Sequence, residues 1–169
     1  MKGTKKLAVL ALFVSMALVL HVVENLLPIP YIAPGVKLGL ANIVSLMTII
    51  IFGFKEAIAV VLLRTFLGSL LGGVPSGFFF SAAGGVLSTV VMYIMYTWVG
   101  TKFSLVGISV VGAIAHNIGQ LFVASLIVEN FGLYVYLPVL MISAVITGTF
   151  IGITANYAVG FINKNVDYD

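Results

Sequence analysis

An all-α polytopic membrane protein of six spanning helices, built as a single domain over residues 1–169 with both termini in the cytoplasm, is the architecture this sequence predicts. Three observations carry it. Of the 169 residues, 62% are hydrophobic and only 8% charged. Soluble chains carry about 25% charged residues, so too little polar surface exists here to cover a water-facing globule. The mean hydropathy of +1.24 suits a chain whose solvent is lipid. The apolar residues also run in six long blocks, at 7–27, 38–54, 57–71, 78–99, 105–128 and 137–162. Each is near the ~20 residues that cross a hydrocarbon core of ~30 Å. Such blocks are too long and too continuously apolar for barrel strands, which alternate over about ten residues.

Each boundary has its own breaker. Pro28, Pro30 and the Pro34-Gly35 pair end the first block, Gly53-Phe54-Lys55 separates the second from the third, and Gly72-Gly73-Val74-Pro75 closes the third. Gly100 and the stretch from Asn130 to Gly132 mark weaker breaks. With the N-terminus inside, Lys2, Lys5, Lys6, Lys55, Lys102 and Lys164 fall on the cytoplasmic side and Lys37 alone outside. That asymmetry satisfies the positive-inside rule, and it gives the net charge of +3 its meaning: the basic residues sit at helix ends. The basic start followed by an apolar run also resembles a secretory signal, with Ser15-Met16-Ala17 as a crude cleavage site. Cleavage there would leave an odd number of spans and put Lys55, Lys102 and Lys164 outside, so the first helix is expected to stay.

Helices in lipid approach closely where small residues share a face. Ala144, Gly148, Gly152 and Gly160 recur at fourfold spacing along the last block and predict a packing groove. Gly68 with Gly72, Gly84 with Ser88, and Ala11 with Ser15 repeat the spacing. Internal packing is the ordinary reading of each pair; for Ala11 and Ser15 a face for a partner protein is the alternative.

Ionisable groups inside a span cost about 2.5–3.5 kcal/mol on insertion scales, so each is a candidate for function. His21, Glu24 and Asn25 share one face of the first helix, Lys37 and Asn42 open the second, Arg64 lies mid-way along the third, and His116, Asn117 and Gln120 cluster in the fifth. At ~1.5 Å of rise per residue, these groups favour the middle and outer half of the bilayer. If they converge, they form a site that opens outward. The competing readings are structural: Arg64 paired with Glu24, His21 as a hydrogen bonder between helices, Lys37 and Asn42 as interfacial residues.

Several chemistries are excluded. With no cysteine there is neither a disulfide nor a thiolate site, and His116 has no histidine or carboxylate four residues on. Only five acidic residues exist, two of them the tail residues Asp167 and Asp169, so no metal cage is expected. No Gly-x-x-x-x-Gly-Lys-Ser/Thr loop occurs, so ATP-driven transport would need partner ATPases. The basic residues form no stripe, and nucleic acid is not an expected partner. No resident cofactor is expected.

Four blocks carry a resemblance: Pro34-Gly35-Val36-Lys37-Leu38-Gly39-Leu40-Ala41-Asn42, Leu63-Arg64-Thr65-Phe66-Leu67-Gly68-Ser69-Leu70, Phe80-Ser81-Ala82-Ala83-Gly84-Gly85, and Gly112-Ala113-Ile114-Ala115-His116-Asn117-Ile118-Gly119-Gln120. In this order they resemble the signature of the Gx transporter family, also labelled heptaprenyl diphosphate synthase component I. That family is similar to the substrate-binding S components of energy-coupling factor (ECF) transporters, six-helix proteins of prokaryotic cytoplasmic membranes. The resemblance implies a ligand site near the external face, and uptake with a transmembrane T component and two cytoplasmic ATPases. Docking in those proteins uses an Ala-x-x-x-Ala face on the first helix, for which this chain offers Ala11-x-x-x-Ser15.

Two readings follow. In the first, the chain is a non-enzymatic transport subunit that binds a small, anionic, cofactor-like or isoprenoid-like solute. Its site would be Lys37, Asn42, Arg64, His116, Asn117 and Gln120, with His21 and Glu24. In the second it is an accessory membrane subunit of a prenyl-diphosphate-synthesising or flavin- or quinone-linked electron-transfer complex. Prenyl elongation itself needs paired aspartates to hold Mg²⁺ on the leaving diphosphate, and no aspartate precedes Asp167.

Overall fold

The computed structural model describes residues 3–26, 39–72, 77–99 and 102–165, and every regular element among them is helical. In chain order these are α1 (Gly3–Leu26), α2 (Asn42–Phe52), α3 (Phe54–Leu71), α4 (Gly77–Ile94), α5 (Leu105–Ile127) and α6 (Leu137–Asn165). A π turn, Met95–Val99, continues α4, and a 3-10 stretch, Phe131–Tyr136, leads into α6. Lys37 and most of the Pro34–Asn42 block lie outside the described residues, as does the side chain of Asn25.

Four helical stretches are long and apolar enough to cross a membrane: Gly3–Glu24, Gly77–Val99, Leu105–Ile127 and Phe131–Ile162. The chain is therefore a membrane protein with transmembrane helices. The other two expected spans differ in character. Helix α2 has 11 residues, which rise only ~16 Å. Helix α3 has 18 residues but carries Lys55, Glu56 and Arg64.

Of the expected breakers, Gly53, Gly72 and the stretch from Asn130 to Gly132 lie among the described residues, and they act as the sequence implies. Gly53, at φ +94°, donates its N–H to the carbonyls of Thr48 and Ile49 and so closes α2 before α3 begins. That left-handed geometry suits glycine. Ser104 caps α5 by accepting from Gly107 N at 3.2 Å. Asn130 turns the chain toward α6 by accepting from Gly132 N at 2.8 Å.

Helix α2 is the centre of the bundle, packed against α1, α3, α4 and α6. Its residues Asn42 to Ile49 are all buried, as an apolar helix surrounded by others must be. The core around it draws in Phe13 and Ala17 of α1, Ala57 and Val60 of α3, Ile108 of α5 and Ile151 and Ala155 of α6.

Helix α3 is amphipathic in the inverted sense. Arg64, Thr65, Gly68 and Ser69 face inward, while Leu62, Leu63, Phe66 and Leu70 face out. With lipid as solvent, the apolar face loses nothing by exposure and the polar face is the one that needs partners.

The small-residue groove of α6 lies against α5. A Cβ on Gly148 would stand 2.6 Å from Val110 Cα, and one on Gly152 2.4 Å from Val106 Cα. Such backbone contact is reachable only without side chains. The groove ends there: Gly160 is exposed with nothing near it, and Ala155 and Val159 supply the buried face at that level. Among the described residues Gly72 likewise meets no other helix, and it serves as the C-cap of α3.

Candidate functional site

The polar side chains singled out above are almost all buried, and most of them converge. Asn42 is 1% exposed, Arg64 2%, His116 3% and Gln120 0%. The meeting point is built around glycines. Gly39, at φ +80°, leaves room where a Cβ would come within 2.9 Å of Asn42 Nδ2 and 3.1 Å of His116 Cδ2. Gly84 of α4 lies under His116 and Gln120, with a Cβ position 3.0 Å from His116 Cε1 and 2.6 Å from Gln120 Cγ. Its neighbour Gly85 lies under Arg64, 3.1 Å from Nη2. Helices α2 and α3 thus bring one polar group each to the same place, α5 two polar groups and α4 two gaps.

Helix α1 supplies the counter-charge. Glu24 accepts a hydrogen bond from Gly39 N and acts electrostatically on Arg64. Arg64 donates from Nη2 to Asn42 Oδ1 at 3.1 Å, which fixes the orientation of the Asn42 amide and turns its Nδ2 donor outward from the pair. The structural alternative for Arg64, a buried charge beside Glu24, is therefore present, but it does not exhaust the polar atoms. Arg64 Nε, Asn42 Nδ2, Ser45 Oγ of α2 and Ser81 Oγ of α4 are buried without a hydrogen-bond partner among the described residues. A buried donor left unpaired costs about 1–3 kcal/mol. Arg64 Nε and Asn42 Nδ2 belong to one bonded pair, and a buried pair that keeps unanswered donors is a place that something else completes.

Two candidates stand apart. Asn117 turns away from His116 and donates from Nδ2 to Leu140 O of α6 at 2.8 Å. One residue along a helix is a rotation of ~100°, so the two neighbours serve different seams. The His21 ring packs on Gly68, whose Cβ position lies 2.9 Å from His21 Cδ2, and it joins α1 to α3 beside the cluster. Lys37 has no described position. Ala11 and Ser15 lie on the exposed side of α1, where Ser15 Oγ donates to Ala11 O at 2.9 Å.

Ser45, Ser81 and the three glycines are the part of the site that residue-type reasoning passes over. A serine in an apolar helix is unremarkable by itself, and a glycine has no chemistry to advertise. The available signal was helical spacing: Ser81, Gly84, Gly85 and Ser88 lie at i, i+3, i+4 and i+7, on one face.

At the opposite end of the bundle, Lys6 Nζ and Glu56 Oε1 meet at 2.5 Å and tie the start of α1 to the start of α3. Among the described residues no group of three or more His, Cys, Asp or Glu is placed to hold a metal ion.

Neither the curated proteins nor the solved structures give a match to this chain. The family model described as heptaprenyl diphosphate synthase component I matches residues 13–158, which contain every converging residue above, and the chain belongs to that family.

Proposed function

We propose that this protein is a membrane-embedded solute-binding subunit, of the S-component type, that captures a small cofactor-like or isoprenoid-like molecule and hands it to partner subunits. The observation that carries the reading is the meeting of Arg64, Asn42, His116 and Gln120 at one buried place, where Arg64 Nε and Asn42 Nδ2 have no hydrogen-bond partner among the described residues. A chain evolved only to span a bilayer would not keep such atoms, because each is costly in lipid and each is removable by an apolar substitution. Concave polar groups inside an apolar wall are the usual build of a small-molecule site.

On this reading α2 and α3 complete six crossings, both termini face the cytoplasm of a prokaryotic cell, and the site faces outward. The basic residues support the orientation, since Lys5, Lys6, Lys55, Lys102 and Lys164 all fall at helix ends on one side. Lys37 and Arg64 support an acidic group on the solute. Uptake would use a T component and ATPases, with the exposed Ala11 and Ser15 face of α1 as the docking surface. The subunit itself performs no chemistry.

The family description favours a second reading, an accessory subunit of a prenyl-diphosphate-synthesising complex. The two are separated by what the purified protein does. The solute-binding subunit is stabilised against heat by its ligand, and Arg64→Ala abolishes that response. The accessory subunit instead co-purifies with a soluble synthase and raises its turnover. If no flavin, quinone precursor, prenyl phosphate or vitamin shifts the melting temperature of the wild type, the solute-binding reading is wrong.

A further inference from the structure

We infer that the head group this site accepts carries no more than one negative charge and is of the carboxylate or amide type, so that phosphate esters and diphosphates are refused. The inference rests on the solute-binding reading above and narrows it. It begins with the count of buried charge. Arg64, 2% exposed, is the cation at the convergence of the helices, and Glu24, 5% exposed, is a carboxylate that reaches the same place through Gly39 N, beside the Asn42 that Arg64 binds. Arg64 and Glu24 therefore cancel, and no other Lys, Arg, Asp or Glu among the described residues is buried beside them.

A phosphate monoester brings about −1.5 to −2 charges and a diphosphate more. Seated beside Glu24, either would leave uncompensated negative charge among buried side chains, a costly arrangement for a buried site. A carboxylate or an uncharged amide leaves none.

The hydrogen-bonding groups agree. Phosphate oxygens only accept, and phosphate sites are rich in converging N–H donors. Among the described residues, the unpartnered buried atoms of the Arg64–Asn42 pair are two N–H donors, Arg64 Nε and Asn42 Nδ2, and α2 and α4 add two unpartnered hydroxyls, Ser45 Oγ and Ser81 Oγ, which both donate and accept. Two donors match one carboxylate or one carbonyl, and hydroxyls that also accept match the N–H of an amide or imide. Glu24 holds its place through Gly39 N, so the counter-charge is built into the fold at a residue that only glycine can occupy.

The test uses the full-length protein in detergent, with thermal shift and equilibrium dialysis as readouts. One probe set is inorganic pyrophosphate and geranyl diphosphate; the other is nicotinate, nicotinamide and uracil. At saturation a bound member of the second set raises the wild-type melting temperature by about 5 °C or more, and the first set leaves it unmoved. In Glu24→Gln, where the counter-charge is gone, pyrophosphate binds at least ~10-fold tighter than in the wild type. Wild-type protein that binds pyrophosphate or geranyl diphosphate better than any carboxylate or amide probe overturns this inference and leaves the solute-binding reading standing. Wild-type protein that responds to neither set overturns this inference, and the wider ligand panel above then decides the solute-binding reading. Should Glu24→Gln fail to fold, the comparison of the two sets on the wild type decides the matter alone.

Discussion

Helix α5 builds two seams from the same kinds of residue, and they come out differently. Toward α6 it presents Ser109 and Asn117, and both spend their hydrogens on backbone: Ser109 Oγ donates to Gly148 O at 2.6 Å and Asn117 Nδ2 to Leu140 O at 2.8 Å. The glycines of that seam touch main chain. Toward α4 it presents His116 and Gln120, and there Gly84 and Gly85 make room for side chains, Arg64 among them. The α4 side mixes two uses of glycine: a Cβ on Gly119 would stand 2.9 Å from Ala83 O, which is packing, while Gly85 opens onto the Arg64 guanidinium. The α5–α6 seam leaves one polar atom, Asn117 Oδ1, buried without a partner among the described residues, whereas the α4 side is where Arg64, with its unanswered Nε, meets the glycines.

The sharpest way to break this contrast is Arg64→Ala. It strands Glu24 and Asn42 in the interior and should cost about 3–5 kcal/mol, read as a large drop in melting temperature. The double variant Arg64→Met with Glu24→Gln removes both charges and should recover much of that stability while leaving no ligand response. If the double variant still responds to ligand, the Arg64 cluster is not the site.

Next in size is Gly152→Val, which forces a side chain into Val106 Cα, 2.4 Å from its Cβ position. Overpacking of this kind costs about 1–3 kcal/mol or more, seen as a lower melting temperature or loss of monodisperse protein on gel filtration. Gly160→Val is the matched control: with open space around it, the change should stay within ~0.5 kcal/mol. Equal effects at the two positions would mean that the stripe, rather than the contact, matters.

Ser109→Ala should lose about 1 kcal/mol by removing the buried bond to Gly148 O, without altering ligand binding. Altered ligand binding would show that the two seams are coupled.

The smallest effect is expected at the far end. The hydrogen bond from Lys6, helped by Glu56's own backbone N–H, holds the Glu56 carboxyl below its ordinary value of 4.5. A carboxyl shifted downward stabilises the fold above its unfolded value and loses that contribution as pH falls through the folded one. Glu56→Gln should therefore melt slightly below wild type at neutral pH, by ~1 kcal/mol or less for so exposed a pair. The difference should fade below about pH 4. A difference that grows in acid would contradict the pairing.

Much of this was legible in the residues. The all-helical membrane class, the break at Gly53, the fifth block at 105–128 against α5 at Leu105–Ile127, and the glycine stripe as far as Gly152 follow from local rules: lipid forces helices, and backbone breakers act where they stand. Less legible were the lengths of α2 and α3, because apolar runs mark what lipid tolerates and not where hydrogen-bonded turns begin. The first candidate block, 7–27, underestimates α1, which starts at Gly3 among the basic residues.

The site divides in the same way. Burial cost alone picks out Arg64, Glu24, Asn42 and His116, since a polar group in an apolar run needs a reason wherever the run is placed. That Asn117 would turn to Leu140 while His116 turned to Gly39 and Gly84 depends on which helix lies on each side of α5, and no stretch of α5 records that. The chain by itself determined what must be hidden from lipid; the packing of six helices decided which hidden groups would face one another and which would be left for a guest, because those distances are set between segments that never touch in sequence.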